Sequence, residues 1–161
     1  MLEIMLEVLV MLLATNGAPV LAARFFRGYG DAPLDQGKRM ADGYPLLGSS
    51  KTWRGLIVAL FTACILSVLF GYGAWFGLVF GMLVMAGDLC SSFFKRRTGL
   101  KPGDRFLGWD QVPESLIPSA FAVFVLGIEW WWAIVLSLAF TLIQIVVSRP
   151  LYSLHIRKNP H

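Results

Sequence analysis

The sequence predicts an all-α integral membrane protein with five transmembrane helices, and three observations support this prediction. Of its 161 residues, 57% are hydrophobic and only 15% are charged, whereas a soluble domain carries roughly 25% charged residues. Apolar runs long enough to cross a bilayer core of roughly 30 Å alternate with polar connections. All 14 Lys and Arg residues lie in three of the polar segments. We expect one membrane domain covering residues 1–161.

The first predicted helix covers about residues 4–23 and leads into a polar connection, residues 24–54. The chain starts with Glu3 and Glu7 and no cation, unlike the basic start of a signal peptide, so we expect the helix to be retained. Asn16 lies inside this apolar span, where a polar side chain is costly unless it faces protein or a cavity. Two roles for Asn16 stay open, an interhelical hydrogen bond and a place in a binding site.

Residues 55–94 form an apolar stretch that is long enough for two spans. Gly71-Tyr72-Gly73 offers a turn near its middle, so we predict a hairpin of helices over about residues 55–70 and 74–95. Four small residues of the second helix would let neighbouring backbones approach closely, either within the chain or in a dimer. They are Gly77, Gly81, Ala86 and Gly87.

A second polar connection, residues 96–114, precedes two further apolar runs. These runs predict helices over about residues 115–128 and 130–148, with Glu129 and three consecutive Trp residues at the turn between them. Because Trp is typical of the membrane–water interface, we expect this turn at a membrane surface.

The cations predict the orientation of a multi-pass protein in the cell membrane. Six lie in residues 24–54, five in residues 95–105 and three in the tail after residue 148, and none lies near the N-terminus or in the other two turns. Five helices put these three segments on one side. The positive-inside rule makes that side cytoplasmic and the N-terminus external. The net charge of +4 is thereby explained without a nucleic-acid partner.

Residues 87–111 carry three aspartates among five cations. Asp88, Ser92 and Lys95 are spaced i, i+4 and i+7, so they share one face of the third helix. Near the membrane boundary Asp88 needs a partner, and Lys95, Arg96 or a metal ion are the simplest candidates. Aspartates suit Mg²⁺, which prefers one or two carboxylates together with substrate phosphates and water. A charged cluster that only anchors the helix ends is the alternative.

A second charged motif, residues 49–55 (SSKTWRG), opens the second helix. Its serines are expected to cap that helix. The first amides of a helix point outward and bind anions, and Lys51, Thr52 and Arg54 add donors there. Cations that reach the lipid surface beside one interfacial Trp are the alternative. Two such motifs on one face of the membrane favour a site that handles phosphate.

Both motifs resemble those of CTP-dependent lipid cytidylyltransferases. Residues 48–55 (GSSKTWRG) resemble a serine–lysine–threonine–tryptophan–glycine motif of these enzymes, and residues 87–110 resemble the signature of phosphatidate cytidylyltransferase, which is a longer protein. The short form, with NGAPV from residue 16, DQGKRMADGYPLLG from residue 35 and KPGDRFLGWDQ from residue 101, resembles the CDP-archaeol synthase family over essentially the whole chain. After Val112 this family pattern leads us to expect an acid, whereas Pro113 stands there and Glu114 follows.

This resemblance implies an Mg²⁺-dependent transfer of CMP from CTP to an unsaturated archaeal ether-lipid phosphate, giving CDP-archaeol and pyrophosphate. The catalytic residues that it implies are Asp88, Lys95, Arg96, Lys101 and Asp110. The metal ligands are Asp88 and Asp110, with Asp104 as a further candidate. The candidate substrate-binding residues are Asn16, Lys38, Arg39, Asp42, Ser50, Lys51, Thr52, Arg54, Ser92 and Arg105.

Three other functions stay open at this point. The same chemistry on a diacylglycerol phosphate fits the polar motifs equally well, because the two acceptors differ in their tails and linkages. A non-enzymatic membrane protein could use the same loops to bind anionic lipid. A transporter would show polar residues at mid-membrane or broken paired helices, and apart from Asn16 the spans carry few polar residues. Nothing in the sequence assigns an oligomeric state.

Overall fold

The computed structural model describes residues 1–26, 29–100 and 111–153, with side chains up to residue 147. It confirms an all-helical chain with five helices. These are α1 (Leu2–Phe25), α2 (Trp53–Leu69), α3 (Ala74–Arg97), α4 (Gln111–Val125) and α5 (Trp131–Ser153).

The bounds of α4 and the end of α5 differ most from the prediction, and α5 ends at Ser153 rather than near residue 148. α4 begins at Gln111 rather than near residue 115, and it ends at Val125 rather than near residue 128. Gly127 has a φ of 68°, and the Ile128 amide donates to the carbonyl of Val123. A glycine in the left-handed region with this hydrogen bond is a common way to end a helix, which explains the earlier end.

Each helix packs against the next along the chain, and α5 closes back onto α1. Side chains from α1, α3, α4 and α5 share one buried apolar core, which includes Met11, Phe80, Ala122 and Phe140. At one end of the bundle the Tyr72 hydroxyl, in the turn between α2 and α3, donates to the Glu7 carboxylate of α1.

α2 packs through small residues at every fourth position, all of them buried: Gly55, Ala59, Ala63 and Ser67. Small residues on α3 face this stripe. A Cβ at Gly77 would lie 2.6 Å from the Ala63 carbonyl oxygen, and a Cβ at Gly81 would lie 2.9 Å from the Ala63 Cβ. The two glycines therefore let α2 and α3 approach closely within one chain. Ala86, which we expected to share this role, is exposed instead.

The outer surface of the bundle is apolar. Exposed side chains there include Phe61, Ile65, Phe124, Leu138 and Leu142. α1 and α3, with 24 residues each and mean hydropathies of 1.9 and 1.7, are long and apolar enough to cross a membrane, whereas α2, α4 and the described part of α5 are shorter apolar helices. An apolar exterior of this kind suits a lipid environment.

The described connection between α1 and α2 is rich in turns, as predicted, and it also contains two isolated bridges. Pro33 pairs with Thr52 in an antiparallel bridge, and Arg39 pairs in the same way with Pro45. Asp35 is 4% exposed and joins the two parts of this loop. Its carboxylate accepts hydrogen bonds from the amides of Gly37, Leu47 and Gly48 at 2.8 to 3.0 Å. Asp35 therefore holds the loop together, and the loop supports the segment that leads into α2.

Replacing Asp35 by Asn is expected to loosen this loop. Burial raises the pKa of the Asp35 carboxyl, but the amides of Gly48, Leu47 and Gly37 outweigh that effect and hold the pKa below its ordinary value. Hydrogen bonds to a charged group contribute about 1.5–3 kcal/mol each, so exchange of the Leu47 and Gly48 amides should become at least about tenfold faster in the variant. Hydrogen–deuterium exchange measures this change.

The same carboxylate predicts a pH dependence of the loop. Because the folded pKa is the lower one, the stabilisation is present above about pH 4 and is lost as the pH falls through the folded value. The Asn variant should lack that acid transition. Glu129→Gln is the control, because Glu129 is exposed and lies in the turn between α4 and α5, away from this loop. Equal exchange in the wild type and in Asp35→Asn would contradict the role given to Asp35.

Candidate active site

The two charged motifs meet in one ion pair. The Lys51 ammonium nitrogen lies 2.6 Å from both carboxylate oxygens of Asp88. The side chains are 18% and 22% exposed, so the pair is half-buried but open on one side. A cation held symmetrically against a carboxylate at a bundle end is a site where phosphate and a divalent ion can bind together.

Each partner is positioned by its own helix. Thr52 caps α2, since its hydroxyl accepts from the Gly55 amide at 3.2 Å, and this places Lys51 just before the first helical turn. Asp88 lies within α3, next to Gly87. A Cβ at Gly87 would lie 2.6 Å from the Glu114 Cα and would also overlap the Pro113 carbonyl. The backbones of α3 and α4 therefore touch beside Asp88.

Two expectations from the sequence need correction here. Ser49 and Ser50 were expected to cap the second helix, but Thr52 does so and the helix starts at Trp53. The side-chain partner expected for Asp88 was Lys95 or Arg96, and the structure brings Lys51 to it from a different segment, while the metal ion stays a prediction. The antiparallel packing of α2 on α3 makes this pair, which no local spacing reveals.

The other predicted site residues of α3 are buried or half-buried. Ser92 and Arg96 are each 2% exposed, and Lys95 is half-buried. Burial of a guanidinium requires partners that balance its charge.

Several predicted substrate-binding residues have other contacts. The Arg54 guanidinium donates to the carbonyls of Phe26 and Tyr29 and pairs with Asp31. Asp42 pairs with Arg97 at the end of α3. These contacts tie the first loop to its neighbours and do not meet at the Lys51–Asp88 pair.

The remaining predicted residues of the first loop and α1 are exposed or bond within their own segment. Lys38, Arg39 and Ser50 are exposed, and Arg39 donates to the Gly43 carbonyl of its own turn. The Asn16 amide donates to the Leu12 carbonyl in its own helix at 3.0 Å. The interhelical hydrogen bond that we considered for Asn16 is absent from the contacts of the described residues.

Four predicted residues lie outside the described part of the chain: Lys101, Asp104, Arg105 and Asp110. Within the described part, no group of three or more His, Cys, Asp and Glu side chains gathers at metal-binding distance. Asp88 presents both carboxylate oxygens to the Lys51 ammonium, which fits the one or two carboxylates that Mg²⁺ takes beside substrate phosphates. The residues present are therefore compatible with that ion.

The structure also shows polar residues that the sequence reasoning did not single out. Gln111, Ser115 and Ser119 recur at every fourth position of α4, and all three are buried. Ser137 on α5 is also buried and faces Ser115. The four-residue spacing of polar side chains in an apolar helix was the available signal.

Comparison with known proteins identifies relatives of this chain. A family model described as CarS-like, CDP-archaeol synthase, matches residues 1–160. The CDP-archaeol synthase of Halorubrum lacusprofundi is 33% identical over 162 aligned residues, covering 89% of this chain and 82% of that protein. That of Saccharolobus solfataricus is 37% identical, covering 70% and 72%. That of Hyperthermus butylicus is 38% identical over 99 residues, covering 56% of this chain and 55% of that protein.

One solved structure has the same fold. It is described as an intramembrane enzyme for archaeal membrane lipids biosynthesis, and it matches with a TM-score of 0.67 at 25% sequence identity. The match covers 86% of this chain and 90% of that one. The shared fold thus agrees with the apolar exterior of the bundle.

Proposed function

This chain belongs to the CDP-archaeol synthase family, and from that membership we propose that it transfers CMP from CTP to an archaeal ether-lipid phosphate. The observation that supports this function best is the Lys51–Asp88 pair. It joins the two motifs that resemble lipid cytidylyltransferases, at the end of a bundle whose exterior suits lipid. A soluble nucleotide and a membrane-held phosphate can meet at such a place.

The proposed reaction is an in-line displacement. An oxygen of the lipid phosphate forms a bond to the α-phosphorus of CTP, the bond from that phosphorus to the bridging oxygen breaks, and pyrophosphate leaves with the electron pair. A phosphate monoester is already anionic near neutral pH, so the nucleophile needs no strong base. Catalysis then consists of positioning and of stabilising charge on the phosphates.

Lys51 and Asp88 have the central roles in this proposal. The Lys51 ammonium turns from Asp88 to a phosphate oxygen when substrate arrives, and the Thr52 cap keeps the start of α2 in place. Asp88 would hold Mg²⁺ together with Asp110 and, as a further candidate, Asp104. When bound, that ion supplies neutralising charge to the phosphates.

The other cations of the α3 motif would hold the triphosphate. They are Lys95, Arg96, Lys101 and Arg105. Of the remaining candidates, Ser92 lies beside Asp88 on α3, and Asn16, Lys38, Arg39 and Ser50 would close the pocket or contact the nucleotide. We assign Asp42 and Arg54 a structural role. Each holds the first loop in place through an ion pair, Asp42 with Arg97 and Arg54 with Asp31.

We also propose that all five helices cross the membrane, with the N-terminus outside and the site on the cytoplasmic side. Exposed Trp side chains mark both ends of the bundle. Trp53 lies at the start of α2, and Trp75 and Trp130 lie at the opposite end. Exposed Trp at both ends, with the cations of the described residues near the Trp53 end, matches a membrane protein whose charged end is cytoplasmic.

The isoprenoid chains of the acceptor have a candidate location between α2 and α3. A groove of about 270 Å³ there is lined by Ile57, Leu60, Phe61, Cys64 and Leu78. Ile57 lies four residues after Trp53, where α2 begins, so the groove starts about 6 Å along the helix from its N-terminal end. A lipid phosphate at Lys51 could therefore place a chain in this groove.

The proposed function is tested with the purified protein, radiolabelled CTP, Mg²⁺ and defined lipid phosphates. We expect label in a lipid product with the unsaturated archaeal ether acceptor and a lower rate with a diacylglycerol phosphate. Chelation of Mg²⁺ should stop the reaction. Equal or higher rates with the ester acceptor would favour the phosphatidate alternative, and binding of anionic vesicles without any CTP-dependent product would favour a lipid-binding protein.

A further inference from the structure

A chain of two hydrogen bonds connects α5 to the first turn of α4. The Ser115 hydroxyl donates to the Gln111 carbonyl at 2.6 Å, and the Ser115 and Ser137 hydroxyl oxygens lie 2.7 Å apart. A hydroxyl has one hydrogen to donate. Since Ser115 uses its hydrogen on Gln111, Ser137 must be the donor to Ser115.

This chain lies deep in the protein. Ser115 is 0% exposed, Gln111 is 4% exposed and Ser137 is 6% exposed. The shared core beside this chain is apolar, including Val123 and Leu136, and one further buried serine, Ser119, lies on α4. Two alanines would pack equally well between these helices, because small side chains of either kind allow close approach. Packing alone therefore does not account for a polar pair at this position.

The turn that Ser115 holds is also the turn that touches the candidate active site. Pro113 and Glu114, in the same turn, press against Gly87, and Gly87 precedes Asp88. On its N-terminal side, this turn continues directly into Asp110 in the sequence. A small shift of the turn would change the spacing between the two motifs that supply aspartates.

We propose that Ser137 is a positioning residue for the cytidylyl transfer reaction, acting through Ser115 on the first turn of α4. It touches neither substrate nor metal in this proposal. The inference rests on the function proposed above, because it assigns Ser137 to the precision of that same site. Misplacing reacting groups by about 1 Å lowers a rate by up to about a hundredfold, so a hydroxyl of this kind has a measurable effect.

The test compares Ser137→Ala with Thr141→Val. Thr141 lies one turn further along α5 and its hydroxyl donates to the Ser137 carbonyl, within its own helix. We expect Ser137→Ala to lower kcat about tenfold with KM for CTP and the thermal midpoint close to those of the wild type. Thr141→Val should keep the wild-type kcat. Wild-type kcat in Ser137→Ala, or a loss that follows a lowered thermal midpoint, would overturn the proposal.

A double-mutant cycle tests whether Ser137 acts through Ser115. The pair Ser115→Ala and Ser137→Ala should lower kcat no further than Ser115→Ala alone, because one path is already broken. If the two changes together lower kcat by the product of their separate factors, Ser137 does not act through Ser115.

Hydrogen–deuterium exchange of the amides of residues 111, 112, 114 and 115 gives a reading that does not depend on activity; Pro113 has no amide hydrogen. These amides should exchange faster in Ser137→Ala and remain unchanged in Thr141→Val. If the wild type forms no CTP-dependent product, the proposed function fails, while the exchange result still decides whether Ser137 holds the turn.

Discussion

Replacing Asp88 by Asn is expected to lower the rate of CMP transfer at least about a hundredfold while the protein stays folded. The Asn side chain has nearly the same shape but no charge, so it neither pairs with Lys51 nor holds Mg²⁺ with comparable strength. The rate of label transfer from CTP to lipid measures the loss. The Mg²⁺ concentration that gives half the maximal rate should also rise in any residual activity.

The matched control for this change is Asp31→Asn. Asp31 also pairs with a cation, Arg54, but its side chain is 51% exposed. Exposed pairs contribute about 0–1 kcal/mol, so the activity of this variant should stay close to that of the wild type. Full activity in Asp88→Asn would remove Asp88 from the catalytic machinery.

A charge swap separates a catalytic carboxylate from a structural ion pair. The double variant Lys51→Asp with Asp88→Lys keeps one pair of opposite charges between α2 and α3. If the pair only joined the two helices, this variant would recover activity that the single changes lose. We expect it to fold and to remain inactive. The phosphate-binding cation is then on α3 and the metal-binding carboxylate precedes α2, so each group is in the other's place.

Replacing Gly87 by Ala is expected to have the largest effect on stability among single-methyl changes. The added Cβ would lie 2.6 Å from the Glu114 Cα and would overlap the Pro113 carbonyl, and both are backbone groups that cannot rotate away. Overpacking of this kind costs about 1–3 kcal/mol and displaces α4 from α3. The thermal midpoint, followed by size-exclusion chromatography after heating, should fall, and CMP transfer should fall with it.

Gly17→Ala is the control for this prediction. A Cβ at Gly17 meets nothing within 4 Å, and Gly17 lies inside α1. Alanine is the better helix former by about 1 kcal/mol, so the midpoint of this variant should stay the same or rise. An unchanged midpoint in Gly87→Ala would contradict the close approach of α3 and α4.

The stretches that the sequence predicted well are those whose signal is local. Apolar runs and the glycines around Tyr72 determined that there are five helices, because hydropathy and turn chemistry act over a few neighbouring residues. The glycines of α3 were expected to allow close approach, and Gly77 and Gly81 do so against α2. Asp88 and Lys51 were both selected as site residues from local motifs: Lys51 lies two residues before α2 begins, and Asp88 lies nine residues before α3 ends.

Tertiary structure alone decided which of these residues meet. The Lys51–Asp88 pair joins positions 37 residues apart, and it exists because α2 packs antiparallel to α3 in one register. The same holds for Asp35, which gathers amides from both parts of its loop, and for Ser137, which reaches α4 from α5. Such contacts depend on which helices are neighbours and on how closely they pack. Backbone contacts, such as that between Gly87 and Pro113, set this packing distance. Periodicity along a single segment carries no information about them.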